Sequence, residues 1–433
     1  MSPTDAAIDR EALAALADEA LDWRFKAIPV GAWGNTVQSF LATSPRLSEF
    51  GTPLLTLDAN ALSGNIAAMA AYCADAGVEL APHGKTTMAP ALWARQLDAG
   101  ARGITVANVP QVRVGRAFGV KRIYLANALV DPVALRWISA ELDADPAFEF
   151  SCWVDSWRTV VLMDDVLRAR GAQRPVDVFV ELGAPGGRTG SREIDEALEI
   201  ARAIAAMPTL RLVGVAGYEG VVAHDASPES LEAVRGYLRR IADLHGRVLT
   251  SGLYESDVAW LTAGGSAYFD QVVEVLGPLA QDSVRVLLRS GAYLVHDDGF
   301  YGGISPFSRG VGKPFESAMH GWARVLSRPE PELALLDGGK RDFPFDEGLP
   351  TPQRVRGRTD ADADALKGGT VTAVADQHTF LKLDPRAPLA VGDVVRFGLS
   401  HPCTAFDKWS LVPVVDDASA DDPVVVDLIR TYF

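Results

Sequence analysis

"VELAPHGKTTMAP" (78–90) decides how this chain reads. It opens as a buried strand through Val78, Leu80 and Ala81, then turns polar at His83 and Lys85. The next stretch, "APALWARQLDAG" (89–100), sets Leu92, Trp93, Gln96 and Leu97 at helical spacing. A short buried strand that runs into an amphipathic helix is the repeating unit of a parallel α/β sheet. Lys85 stands just past the apolar part of that strand, an unusual place for a charge.

Working outward, seven more apolar runs follow: "GITVAN" (103–108), "RIYLAN" (122–127), "EFSCWVDS" (149–156), "VDVFVELG" (176–183), "LRLVGVAGYEG" (210–220), "SDVAWLTAGG" (256–265) and "RVLLRSGAYLVHD" (285–297). Their Val, Ile, Leu and Phe content suits strands buried on both faces. Between them, "PQVRVGRAFG", "REIDEALEIARAIAAM" and "SPESLEAVRGYLRRIADLHGRV" read as helices, the last capped by Ser227. Strand and helix alternate over about 220 residues, which predicts a (β/α)8 TIM-type barrel. A doubly wound open sheet is the alternative.

After residue 310 the texture changes. "ARVLSRPEPELALLDGG", "GGTVTAVADQHTFLKL", "GDVVRFGLSHPC" and "WSLVPVVDD" are short, β-rich and punctuated by turns. They predict a second, mostly antiparallel β domain at the C-terminus. The expected units are an N-terminal extension packing on the β domain (1–45), the barrel (46–310) and the β-rich domain (311–433). "PTPQRVRGRTDADADALKGG" (350–369) reads as an exposed loop.

Composition narrows the function. The chain has 433 residues, 48% apolar and 22% charged, ordinary for a globular protein. Its net charge of −15 disfavours nucleic acid and anionic membranes, which need basic surface. A small anionic ligand held by local groups stays open. Three cysteines, Cys73, Cys152 and Cys403, are too few for a disulfide scaffold and suit a reducing compartment. The N-terminus lacks a secretory pattern, and no run of about 20 apolar residues is present, so a cytoplasmic protein is expected.

At the C-terminal end of a barrel strand, Lys85 would point into the mouth where barrels build their active sites. Desolvation there makes its amine a usable nucleophile toward a carbonyl, including the aldehyde of pyridoxal phosphate. A surface loop lysine is the bland alternative. "TAGGSA" (262–267) offers Gly264, Gly265 and Ser266 to a phosphate. Arg188 in "ELGAPGGRTG" could reach a ligand or pair with a local acid. Tyr218 in "GYEG" could bond a ligand or cap the core. In "SHPCTAFD" (400–407), His401 and Cys403 stand two apart and would share one face of a strand. Imidazole with thiolate suits a catalytic zinc, with His378 as a third ligand or supporting group. A turn histidine beside a buried cysteine is the alternative.

Taken together, "PHGKTTMAP", "ELGAPGGRTG", "GYEG", "TAGGS", "RSGAYLVHDD", "DQH" and "SHPC" resemble the D-serine dehydratase and D-threonine aldolase family, fold-type III pyridoxal phosphate enzymes with an alanine-racemase-like barrel. The resemblance runs from about residue 50 to near the C-terminus. It implies that Lys85 forms the Schiff base with the cofactor and that Gly264, Gly265 and Ser266 form the phosphate turn. His83, Arg188, Tyr218 and Tyr293 match cofactor-site positions. His401 and Cys403 match the metal pair. Dehydratases of the family show His-x-Cys with zinc, aldolases more often His-x-Asp with manganese or magnesium. The implied activity is therefore a metal-dependent dehydratase, an ammonia-lyase acting on a D-3-hydroxy amino acid such as D-serine or D-threonine. Cleavage of Cα–Cβ by an aldolase is the runner-up, and a racemase or a non-catalytic cofactor-binding protein stands further off. The resemblance also implies a homodimer. Ala81, Thr87 and Met88 depart from the family's lysine motif beside the cofactor, in a branch often labelled only as an amino-acid deaminase.

Overall fold

The computed structural model describes residues 8–358 and 364–433. Its first strand, β1 (Leu54–Asp58), is followed by a helix over Ala59–Ala76. Eight strands then form one parallel sheet: β2 (Glu79–Leu80), β3 (Ile104–Val106), β4 (Arg122–Ala128), β5 (Glu149–Val154), β6 (Val176–Glu181), β7 (Leu210–Ala216), β8 (Ala259–Ala263) and β9 (Val284–Leu288). Six fall inside the apolar runs read from the sequence, and β4 and β9 each reach one residue beyond theirs. The sheet order is β2-β9-β8-β7-β6-β5-β4-β3. The ring is completed between β2 and β3, where His83 and Thr105 form a parallel bridge. There the Arg102 N–H donates to the Leu80 carbonyl at 2.7 Å and the Thr105 N–H to the Pro82 carbonyl at 3.0 Å.

The barrel is filled, not hollow. Ala81, Tyr124, Trp153, Phe179, Val213, Ala216 and Leu287 form its inner cluster. Trp153 and Phe179 meet edge to face, 4.6 Å between centroids. The helices lie where periodicity put them, at Pro90–Asp98, Val109–Ala117, Ile194–Ala205 and Pro228–Thr250. Ser227 caps the last of these by accepting the Ser230 N–H.

The second domain is a nine-stranded sheet. Its strands are β10 (Met319–Glu330), β11 (Leu333–Leu336), β12 (Thr351–Val355), β13 (Thr370–Val374), β14 (Thr379–Lys382), β15 (Val394–Gly398), β16 (Leu411–Val415), β17 (Val425–Arg430) and β1. All pairings are antiparallel except β1 with β16. Two differences from the sequence reading follow. The stretch 46–310 gives its first strand to this sheet, because β1 is held on both edges, by β10 and β16. Residues 351–355, read as part of an exposed loop, form β12 against β15; 359–363 of the same stretch lie outside the described residues.

Two buried polar groups fix the domains to each other. Asn65 donates to the Leu294 and Glu316 carbonyls at 3.1 and 2.8 Å and accepts the Glu316 N–H at 2.9 Å. Asp297, after β9, binds backbone of both domains, as described below. The N-terminal segment touches both halves. Lys26 pairs with Asp342 and lies over the Trp409 ring, while the Asp9 N–H donates to the Phe118 carbonyl. Among the described residues no helix is long and apolar enough to cross a membrane.

Candidate active site

The C-terminal ends of the barrel strands and one edge of the second sheet enclose a cavity of about 410 Å³. That size suits a small-molecule cofactor with a substrate. Lys85 reaches it from a 3-10 turn, Gly84–Thr86, directly beyond β2. Burial pushes its ammonium below the ordinary lysine value, and Arg188 and Arg289 push the same way while Cys403 opposes. His83, which caps the same turn, is half-buried, and desolvation together with the charges of Lys85 and Arg289 pushes its imidazole well below the ordinary value. Its Nδ1 has no partner among the described residues.

From the far side come the two candidate ligands on the sheet domain. Cys403 Sγ lies 3.4 Å from Thr86 Oγ1, next to Lys85. Burial pushes the Cys403 thiol up, but hydrogen bonds from His401 and Thr86 and the charges of His401 and Lys85 hold it below its ordinary value. His401 Nδ1 stands 2.6 Å from Asp346 Oδ2, and its hydrogen bond to Cys403, followed by that to Asp346, pushes the imidazole up to about 9. The two do not share a strand face as the sequence suggested. β15 ends at Gly398, His401 takes a left-handed backbone (φ 57°) and Cys403 opens a short helix, Cys403–Phe406. The turn, not strand pleating, aims both into the cavity. Asp297 sets it: one carboxylate oxygen accepts the Gly299, Tyr301 and Gly302 N–H groups, the other the His401 N–H at 2.9 Å. Tyr301, on the same loop, lines the cavity.

The third wall is the glycine-bearing rim. Arg188, Tyr218, Gly264, Gly265 and Ser266 all line the cavity, with the Arg188 guanidinium over the Tyr218 ring at 5.2 Å. The sequence reading gave the Gly264 and Gly265 N–H groups to an anion. Instead both donate to the buried Glu219 carboxylate, at 3.0 and 2.6 Å. Ser266 Oγ accepts the Ala292 N–H at 3.1 Å, which leaves its hydroxyl proton to donate.

Two other expectations fail. Tyr293 does not face the cavity; its 3-10 turn (Ala292–Leu294) rotates it into the core, where its hydroxyl accepts from Gln96 Nε2 at 2.9 Å. His378 is exposed in the turn between β13 and β14 and takes no part in the cavity. Among the described residues no group of three or more His, Cys, Asp or Glu side chains is placed to hold a metal ion.

Sequence reasoning missed Glu181, Glu219, Arg289 and Asp346. Burial pushes Glu181, at the end of β6, up to about 7, and its Oε2 has no partner among the described residues. Arg289, just past β9, is buried and donates to Thr262 Oγ1 and the Gly217 carbonyl. Glu181 and Arg289 carry the signal that singled out Lys85, a charge at the end of a buried strand. Asp346 carries no such signal; only tertiary structure brings it to His401.

The residues present fit pyridoxal phosphate. A desolvated amine, two buried polar atoms without partners, a free hydroxyl on a glycine turn and a guanidinium stacked on a tyrosine all face one cavity of suitable size.

These features define a cofactor-dependent enzyme on an alanine-racemase-like fold. The alanine racemase N-terminal domain family matches residues 57–272, and a serine dehydratase domain family matches 318–415. A D-threonine aldolase from an Arthrobacter species is 27% identical over 87% of this chain and 92% of its own. A 3-hydroxy-D-aspartate aldolase from Paracoccus denitrificans is 27% identical over 82% and 86%. The solved D-threonine aldolase of Filomicrobium marinum superposes with a TM-score of 0.72 at 24% identity, covering 89% of this chain and 96% of that one. A cysteine-to-alanine variant of a D-threo-3-hydroxyaspartate dehydratase, in the metal-free form, superposes at 0.70 and 20% identity, covering 90% and 99%. The chain belongs to the fold-type III pyridoxal phosphate family and is a pyridoxal phosphate-dependent lyase.

Proposed function

We propose that this lyase is a metal-dependent dehydratase of a D-3-hydroxy amino acid such as D-serine or D-threonine, releasing a 2-oxo acid and ammonia. The contact between Cys403 and Thr86 carries the reading. It brings the His401–Cys403 pair against the turn that holds Lys85, so one small substrate can meet both.

Bound there, pyridoxal phosphate supplies a carbonyl for the substrate amine and an electron sink for the α-carbon, and a divalent metal supplies a Lewis acid. Lys85 would hold the cofactor through its amine and, once released, would be the group placed to take the proton from the substrate's α-carbon. Its desolvated amine suits that task. Ser266 would donate to the phosphate, and Arg188, Tyr218 and His83, which line the same cavity, would orient the ring. His401 and Cys403 would hold the metal, which would act as a Lewis acid on the substrate's β-hydroxyl. Imidazole with thiolate favours zinc over manganese or magnesium. A homodimer and a cytoplasmic location belong to the same proposal.

The dehydratase among the structural neighbours has been solved as alanine variants of a histidine and a cysteine two positions apart, the cysteine variant being metal-free. His401 and Cys403 share that spacing, which supports the choice. The aldolase reading stays second, favoured by the names of the curated relatives.

Chelation separates a metal-assisted reaction from a metal-free one. Chelator should stop turnover and zinc restore it. Cys403→Ala should lose bound metal and roughly 100-fold or more in activity while keeping the colour of the bound cofactor. A metal-free Cys403→Ala protein with full activity would remove the metal from the reaction.

A further inference from the structure

Glu219 lies in the 3-10 turn Glu219–Val221 beyond β7 and is fully buried. Its two carboxylate oxygens accept separate backbone N–H groups from the neighbouring strand end: Oε2 that of Gly264 at 3.0 Å, Oε1 that of Gly265 at 2.6 Å. A two-amide clamp of this kind needs an acceptor at both side-chain positions. A carboxylate provides that, whereas a carboxamide would turn an N–H against an N–H.

The surroundings admit little else. A Cβ on residue 265 would come within 2.8 Å of the Tyr218 ring and 3.3 Å of Glu219 Oε1, so the glycine is there for the close approach of the two loops. The Tyr218 N–H is held by the Tyr237 hydroxyl at 3.1 Å, and that hydroxyl donates to the Leu182 carbonyl at 2.5 Å. Arg289, buried nearby, donates to Thr262 Oγ1 and the Gly217 carbonyl. Burial lowers its guanidinium below its ordinary value, and Glu219 is first among the acidic groups that oppose the fall. Both carboxylate oxygens of Glu219 are thus taken by backbone amides.

We infer that Glu219 is a positioning residue for the phosphate end of the cofactor: by holding the Gly264 and Gly265 amides it fixes the turn that presents Ser266 to the cavity. This rests on the reading of that rim as the phosphate site. The anion then lies on the Ser266 side of the turn, because the two glycine amides are already taken. Glu219 touches neither cofactor nor substrate and acts through the turn.

The test is titration of the full-length, cofactor-stripped protein with pyridoxal phosphate and, separately, with pyridoxal, which lacks the phosphate, followed by absorbance. Wild type should prefer pyridoxal phosphate. In Glu219→Gln the dissociation constant for pyridoxal phosphate should rise about tenfold or more, with that for pyridoxal changed by less than about threefold. Glu219→Asp, one methylene short of the amides, should behave alike. Unchanged binding of both ligands, or an equal loss for both, overturns the role. So does loss of the folded apoprotein in both variants, because Glu219 would then serve the barrel itself. A wild type that does not distinguish the two ligands would instead overturn the phosphate-site reading on which the inference stands.

Discussion

Lys85 takes its chemistry from the place where β2 stops. Two residues of strand, then a 3-10 turn, leave the side chain at the cavity above the packed barrel interior. A charge there is costly, and the amine responds by holding its proton less firmly. Lys85→Ala should lose roughly 100-fold or more in turnover and lose the borohydride-trappable link to the cofactor. Steady-state rates and mass spectrometry of the reduced protein check both. The position of Lys85 was legible in the sequence because a strand end can be read from apolar runs. Glu181 and Arg289 were equally legible by that rule. Tyr293 misled for a related reason: its motif fixes the turn, but the rotation of that turn, set by Gln96, is a tertiary fact.

At the scale of elements, the site depends on how loops from two domains are tied. Asp297 accepts four backbone N–H groups across the seam, three from its own loop and one from His401. Asp297→Asn offers one acceptor in place of two and should cost about 2 kcal/mol of stability, measured by urea unfolding. It should also raise the zinc concentration needed for half-maximal activity, because His401 loses its anchor. A stability loss with unchanged zinc dependence would confine Asp297 to the fold. The strands and helices of the barrel were readable from periodicity, since each must bury its own faces. The turn at 399–403 was not. Its left-handed His401 is imposed by contacts from Asp297 and Asp346, distant in sequence. Nor was the pairing of β1 with the second sheet, as "LLTLD" would suit either domain.

For the whole molecule, buried titratable groups set the response to pH. Burial pushes His296 down to about 4 and His320 down to about 3. The unfolded chain takes up those protons near pH 6.5, which the folded state refuses. The stability these two histidines contribute is therefore full above about pH 6.5 and is lost as the pH drops toward 4. Glu181, raised to about 7 by burial, works in the opposite direction: the folded state keeps a proton that the unfolded chain releases near 4.5. Melting temperatures should fall from pH 7 to 5, and more steeply in Glu181→Gln, which lacks the opposing group. A Glu181→Gln profile no steeper than wild type would contradict the burial argument. The overall architecture was legible because alternation of strand and helix dictates a parallel barrel; the cavity between barrel and sheet was not, because it is built by their docking.

The fate of the substrate's Cα–Cβ bond tests the central claim most directly. The protein, loaded with pyridoxal phosphate and zinc, is given D-threonine and the products are identified by mass spectrometry. The account predicts 2-oxobutyrate and ammonia in equal amounts. Glycine and acetaldehyde would contradict it, make the enzyme an aldolase, and show that Cys403 does not select elimination.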